Sequence, residues 1–247
     1  MVQNMHIHSN YSFDSKLKLE SIAKTLIENN VKYAGITDHV EFSMEPLPYV
    51  LTKLKVRNLE IDKLNEVYQG KLKLLKAVEI SSPHLYKHEV EKLEELELDY
   101  IMGSIHKLKR NAKTKEEQQE VYNTYYNDMI EMIKTGNIDV IGHIDYIRKY
   151  YNNDLSNINQ ICEIMALLHD RNIVMEINSS ASRRIGYGCF PSIEKIAIYS
   201  HYNSEVTIGT DAHAVEELTD NLELPYKYSE ILNLTPVVFD KRKKLKI

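Results

Sequence analysis

Short apolar runs alternate with amphipathic segments along the chain. Seven runs rich in β-branched residues have the length of buried strands and cover residues 5–8, 33–39, 72–80, 98–106, 138–145, 173–179 and 205–213. Helical periodicity occupies the intervals between them. This alternation is typical of βα units around a parallel sheet, so the pattern predicts an α/β fold.

Five of the intervals predict helices, at residues 17–29, 49–69, 116–135, 157–170 and 192–202. The apolar face of the first has a period close to 3.6 and consists of Leu19, Ile22, Ala23, Leu26 and Ile27. Gly70 and Gly136 suit the left-handed position after the second and third helices. Thr114 and Glu117 have the spacing of a capping box. No Gly/Ser-rich linker or internal repeat interrupts the series, so we expect one domain over residues 1–247.

Composition narrows the functional classes. Hydrophobic residues make up 43% of the chain and charged residues 27%, which fits a globular protein. The net charge of −5 argues against a nucleic-acid partner, and we expect the basic run at 241–246 to be a solvated tail. Cys162 and Cys189 are too few for a disulfide framework. No run approaches the roughly 18 apolar residues of a membrane span. We therefore expect a cytoplasmic protein without a membrane partner.

Polar residues that packing would not require close the apolar runs. The motifs are His6-Ile7-His8, Thr37-Asp38-His39, Val78-Glu79, Ser104-Ile105-His106, Gly142-His143-Ile144-Asp145 and Gly209-Thr210-Asp211-Ala212-His213. The carboxyl ends of parallel strands converge on one side of a sheet or barrel, and six of the ten histidines fall there. The motifs therefore predict one shared site.

The residue types at these ends indicate a metal site. His6 and His8 are two positions apart on a strand, so their side chains share a face, and Asp211 and His213 have the same spacing. Imidazole and carboxylate together suit zinc, manganese or iron. A single strand histidine is more often a core residue, but five strand ends with histidine and a sixth with Glu79 are not explained by packing. The set exceeds the ligands of one zinc ion, so more than one metal is expected.

These motifs, spread from His6 to His213, resemble those of the PHP (polymerase and histidinol phosphatase) superfamily, in its histidinol-phosphatase branch. The resemblance implies a distorted (β/α)7 TIM-like barrel that holds three divalent transition-metal ions (Zn, Mn or Fe). One ion would take His6, His8, Glu79 and Asp211. A second would share Glu79 and add His106 and His143, and a third would take Asp14, His39 and His213. Asp14 follows the first strand in a loop, where other relatives have a histidine.

The implied chemistry is hydrolysis of a phosphate monoester. Two ions about 3.5–4 Å apart ionise a shared water near neutral pH, and the bridging hydroxide attacks phosphorus in line. Glu79, Asp211 and His213 are the expected catalytic residues. Arg183 and Arg184, in a loop that resembles the phosphate loop of the family, and Arg148 are the expected substrate-binding residues, since the guanidinium fork matches phosphate.

The resemblance favours L-histidinol phosphate as the substrate, with L-histidinol and phosphate as products in histidine biosynthesis. The stretch at 107–111 leaves this open, because it replaces an aromatic-rich segment of many histidinol phosphatases. The alternative is a PHP phosphoesterase for another small phosphate monoester, a phosphotyrosine protein or a nucleotide. A non-catalytic metal-binding module is disfavoured, since no ligand position is vacant. The oligomeric state stays open.

Overall fold

Strands and helices alternate along the chain in a computed structural model that describes residues 2–108, 111–151 and 153–246. The strands are β1 (Gln3–Ile7), β2 (Tyr33–Ile36), β3 (His39–Val40), β4 (Lys73–Ser81), β5 (Tyr100–Ser104), β6 (Val140–Ile141), β7 (Val174–Asn178), β8 (Glu205–Gly209), β9 (Thr235–Asp240) and β10 (Lys243–Lys246). The α-helices are α1 (Leu19–Glu28), α2 (Leu47–Val67), α3 (Lys87–Lys92), α4 (Lys115–Thr135), α5 (Ile158–Asp170), α6 (Ala181–Ile185), α7 (Ile193–Ser200) and α8 (Glu223–Ile231). Short 3-10 helices span Pro83–Leu85, Leu93–Leu96, Tyr146–Lys149 and Val215–Glu217.

The sheet runs in the order β1-β2-β4-β5-β6-β7-β8-β9-β10, with β3 beside β4 as a continuation of β2. The pairs from β1 to β9 are parallel, and β10 pairs antiparallel with β9. A parallel bridge between Ile7 and Ala212 brings the end of β1 beside the segment that follows β8. The parallel α/β architecture predicted from the seven apolar runs is confirmed.

The segment after residue 234 corrects one expectation. The basic run at 241–246 is not a solvated tail, because β10 forms a hairpin with β9. β9 lies beside the amino end of β8, where Glu205 pairs with Thr235. Its residues Val237, Val238 and Phe239 join Met5 and Tyr100 in one buried cluster, so the hairpin completes the core below the strand ends.

Helix boundaries follow the predicted signals with one exception. Thr114 and Glu117 form the capping box at the start of α4, as predicted. Gly70 has a left-handed backbone, with φ of 77°. The prediction is wrong for Gly136, whose φ is −77°. Glycine is required there by a close approach instead, since a Cβ atom would lie 2.6 Å from the carbonyl oxygen of Met132.

A buried ion pair connects α2 to the strand ends. Arg57, fully buried on α2, donates from Nη1 to Asp38 Oδ2 at 3.2 Å. Asp38 Oδ1 also accepts from the backbone nitrogen of Ser9 at 2.6 Å and from Ser12 Oγ at 3.2 Å. The loops that follow His8 and precede His39 are therefore held by one carboxylate.

Arg57→Met is expected to lower the free energy of unfolding by about 3–5 kcal/mol, because it leaves the Asp38 carboxylate buried without its cation. The control Arg171→Met, at the exposed end of α5, is expected to change it by less than about 0.5 kcal/mol. Urea denaturation in the presence of a chelator measures both variants without a contribution from bound metal. Equal stability of the two variants would contradict the role of the ion pair.

Candidate metal centre

The carboxylate of Glu79 lies at the centre of the converging strand ends. Glu79 stands near the end of β4 and is almost completely buried. Its Oε1 is 3.1 Å from His106 Nε2 and 3.0 Å from His143 Nε2. Its Oε2 is 3.4 Å from His6 Nε2 and 3.5 Å from His8 Nε2. The two oxygens thus face two different histidine pairs.

The first pair is completed by Asp211. The Nε2 atoms of His6 and His8 are 3.1 Å apart, and Asp211 Oδ1 is 3.2 Å from His8 Nε2 and 3.7 Å from His6 Nε2. Metal–ligand bonds of about 2.0–2.2 Å in a tetrahedron separate the ligand atoms by about 3.3–3.6 Å. These three atoms and Glu79 Oε2 therefore surround a space of the size that one transition-metal ion requires.

A further group lies toward the opening of the site. Asp14 Oδ2, in the loop between β1 and α1, is 3.3 Å from His39 Nε2 and 3.2 Å from His213 Nε2. The Asp14 side chain is 35% exposed, more than His106 at 22% or His213 at 20%. His39 also places Nδ1 3.1 Å from Glu79 Oε2, which connects this group to the centre. The structure thus brings all nine residues predicted as metal ligands together.

The residues fit a divalent metal. Among the described residues, no hydrogen bond satisfies Glu79 Oε2, although this atom is buried and imidazole nitrogens lie close to it. Three groups could each hold an ion: His6, His8 and Glu79; His39, Glu79 and His106; and His8, Asp14, His39 and His213. A buried oxygen faced by nitrogen lone pairs is unfavourable unless a cation or a proton lies between them.

When metal is absent, protons on the imidazoles supply the positive charge between the Glu79 carboxylate and the histidine nitrogens. Burial by itself would raise the pKa of Glu79, but the positive charges of His106, His6 and His39 hold it well below its usual range. Burial would lower the pKa of His39, but Glu79 and Asp14 raise it to about 10. His8 behaves in the opposite way, because burial and the neighbouring charges of His39 and His213 lower its pKa to about 3.

The second nitrogen of most ligand imidazoles is also engaged. The contacts are His6 Nδ1 with Glu176 Oε1 at 2.9 Å, His8 Nδ1 with Ser12 Oγ at 3.2 Å, His106 Nδ1 with Glu41 Oε1 at 3.1 Å, and His213 Nδ1 with the Asp211 carbonyl at 2.9 Å. Such partners fix the ring orientation and tautomer of metal-ligating histidines. Sequence reasoning missed Glu41 and Glu176. A detectable signal for Glu176 is its charge in the middle of an apolar buried strand.

A cavity of about 300 Å³ opens above the ligands. Besides ligand residues, it is lined by Phe13, Glu41, Tyr146, Lys149, Tyr150 and Arg184. Arg184 donates from Nη2 to Asp211 Oδ2 at 2.7 Å, and its guanidinium lies 5.4 Å from the centre of the Tyr146 ring. Its Nε is buried and has no hydrogen-bond partner within the described part of the chain. Arg184 therefore places its guanidinium at the edge of the cavity, beside the ligands.

The two other predicted arginines lie differently. Arg183 donates from Nη2 to the carbonyl oxygens of Thr210 at 2.6 Å and Asp211 at 2.7 Å, so it braces the loop behind the ligands. Arg148 pairs with Asp145 at 3.0 Å and does not line this cavity. Of the three arginines, only Arg184 lines the cavity.

The stretch at 107–111 is the segment whose sequence leaves the substrate open. Lys107 and Leu108 line a separate hollow beside α4, and Lys109 and Arg110 lie outside the described residues.

Over residues 2–108, 111–151 and 153–246, no helix is long and apolar enough to cross a bilayer.

The PHP domain family matches residues 4–180, which is 177 of the 247 residues. The chain belongs to the PHP domain family. The chain is 29% identical to a probable histidinol-phosphatase of Clostridium acetobutylicum, and the match covers 98% of each chain. It is 22% identical to a probable histidinol-phosphatase of Thermotoga maritima, over 97% of this chain and 96% of the relative. The crystal structure of a Lactococcus lactis histidinol phosphate phosphatase, in complex with zinc, L-histidinol and phosphate, has a similar fold, with a TM-score of 0.83, 17% identity and 99% of each chain covered.

Zinc binding is expected to release protons at pH 7. Glu79 raises the pKa of His39 to about 10 and that of His106 to about 9, against the opposing effect of burial, so both imidazoles carry a proton at pH 7 in the metal-free protein. Ligation requires the neutral ring, so zinc displaces these protons and binds more tightly as the pH rises. Calorimetry in buffers of different ionisation enthalpy measures the release. His201→Gln, at an exposed histidine, should behave as wild type. An affinity independent of pH between about 6 and about 9 would contradict the expectation.

Proposed function

We propose that this chain is a metal-dependent phosphomonoesterase that hydrolyses L-histidinol phosphate to L-histidinol and phosphate. The observation that carries the proposal is the position of Glu79, whose two oxygens face two histidine pairs below a cavity that Arg184 lines. The relatives named probable histidinol-phosphatase, which match along almost the whole chain, support the choice of substrate. The cavity of about 300 Å³ suits a small phosphate monoester better than a folded protein segment.

Three divalent transition-metal ions are proposed. The first would be held by His6, His8, Glu79 and Asp211, the second by Glu79, His106 and His143, and the third by Asp14, His39 and His213. When bound, such ions supply a nucleophilic water at neutral pH and neutralise the phosphoryl oxygens.

The side chains of the chain itself bind and orient the substrate. Arg184 is proposed to donate to a phosphoryl oxygen from its guanidinium, at the edge of the cavity that Asp211 borders. Burial opposes ionisation of Asp211, but the charge of Arg184 and the hydrogen bond from His8 hold its pKa well below the usual range. Asp211 and Glu79 therefore remain anionic at neutral pH, as ligands require. His213 borders the same cavity and would help to orient the phosphate.

We also propose that the chain acts as one domain in the cytoplasm, on a small molecule and not on nucleic acid. The net charge of −5 and the two free cysteines support this view.

A panel of phosphomonoesters tests the function. With zinc or manganese present, kcat/KM is expected to be highest for L-histidinol phosphate, compared with an aryl phosphate, a nucleoside monophosphate and a phosphotyrosine peptide. Glu79→Gln should lower turnover of every substrate by at least about 100-fold, because it removes the charge that faces both histidine pairs. A preference for another ester would change the substrate assigned to the enzyme but not the reaction class. Hydrolysis of none of the esters would refute the proposal.

Arg184→Ala is expected to lower kcat/KM by about ten- to a hundredfold, equivalent to about 1.5–3 kcal/mol, on both L-histidinol phosphate and an aryl phosphate. The loss should be equal on the two substrates because the phosphate is their shared part. Arg171→Ala, which removes an exposed guanidinium, serves as the matched control. If Arg184→Ala retained wild-type kinetics, Arg184 would not be the phosphate ligand.

A further inference from the structure

Glu176 is a carboxylate buried beneath the candidate metal centre. It lies in the middle of β7 and is fully buried, yet it belongs to none of the three groups of candidate metal ligands. Its Oε1 accepts from Asn178 Nδ2 at 2.8 Å and lies 2.9 Å from His6 Nδ1. Its Oε2 accepts from the backbone nitrogen of His143 at 3.0 Å. One side chain thus contacts two of the histidines that flank Glu79.

The surrounding backbone leaves space for this carboxylate. A Cβ atom on Gly209 would lie 2.2 Å from Glu176 Oε1 and 2.5 Å from His6 Cβ. No side chain can be accommodated at position 209 while Glu176 and His6 keep their positions. The glycine of the Gly209-Thr210-Asp211 motif is therefore required by the contact between Glu176 and His6, and not by the metal ligands alone.

The contact between Glu176 and His6 Nδ1 determines which nitrogen of His6 can bind a metal ion. A carboxylate 2.9 Å from Nδ1 favours the tautomer with the proton on that nitrogen. The lone pair is then on Nε2, which faces His8 Nε2 at 3.1 Å and Glu79 Oε2 at 3.4 Å. The negative charge of Glu176 also makes the imidazole a better electron donor. Its bond to the His143 backbone fixes the position of a ligand in the neighbouring group.

We propose that Glu176 is a positioning residue that strengthens divalent-metal binding through His6 and His143. The inference rests on the metal centre of the proposed function. Neutralising Glu176 should weaken metal binding even though Glu176 itself is not a ligand.

Zinc affinity, measured with the metal alone and no substrate, tests the proposal. Glu176→Gln is expected to weaken zinc binding by about 10- to 100-fold, which is the usual cost of losing the partner of a ligand histidine. Glu205→Gln is the matched control, because Glu205 is a carboxylate on the neighbouring strand that pairs with Lys244. It should retain wild-type affinity within about twofold. Unchanged affinity in Glu176→Gln would overturn the inference.

A second measurement uses the wild-type chain and does not depend on how the variant folds. In the zinc-loaded protein, long-range ¹H–¹⁵N spectra should show His6 protonated on Nδ1 with a downfield proton, assigned through His6→Gln. An unprotonated His6 Nδ1 would overturn the proposal. If wild type binds no zinc, the proposed function fails together with the inference. If wild type binds zinc and Glu176→Gln matches it, only the inference fails.

Discussion

The free-energy cost of burying the Glu79 carboxylate governs the arrangement of the whole site. An ionised carboxylate inside a protein is stable only where positive charge or donors surround it. Five imidazoles from four strand ends meet this requirement, because parallel strands bring their carboxyl ends to one side of the sheet. Protons on His39 and His106 supply the charge in the metal-free state, and divalent cations would supply it in the loaded state. The two states therefore compete for the same nitrogen atoms.

The interactions that stabilise the fold also orient the ligands. Asp38 neutralises the buried Arg57 of α2, and Ser12, which donates to Asp38, also contacts His8 Nδ1 at 3.2 Å. The backbone nitrogen of His39 donates to the same Ser12 hydroxyl at 2.9 Å. A change in helix packing at Arg57 would therefore reach two ligand histidines through a single hydroxyl. Stability and metal geometry are not independent in this part of the molecule.

The sequence predicted those candidate ligands whose positions depend on spacing along a single strand. His6 and His8 stand two positions apart at the end of β1, so their convergence followed from strand geometry. Asp211 and His213 have the same spacing, but they follow the end of β8 and Asp211 has a left-handed backbone with φ of 52°, so strand geometry does not place them. Asp14 lies in a loop and could be proposed only from the family resemblance. The choice among the arginines required the structure, since consecutive residues such as Arg183 and Arg184 point in different directions from the short helix α6.

The contacts of Glu176 and Glu41 with their histidines could not be predicted, because these residues meet only across the sheet. The charge of Glu176 within an apolar strand marks the residue but does not identify its partner. β10 was missed because the lysines of an exposed edge strand have the same composition as a solvated tail.

The close approach of Gly209 to Glu176 has an evolutionary consequence. A larger residue at position 209 cannot be accepted while the glutamate remains, and loss of the glutamate does not open the position, because His6 Cβ would still lie 2.5 Å from the new Cβ atom. A smaller residue at position 176 leaves a void that glycine cannot fill. Position 209 is therefore expected to stay glycine wherever His6 is kept, whatever residue replaces the glutamate.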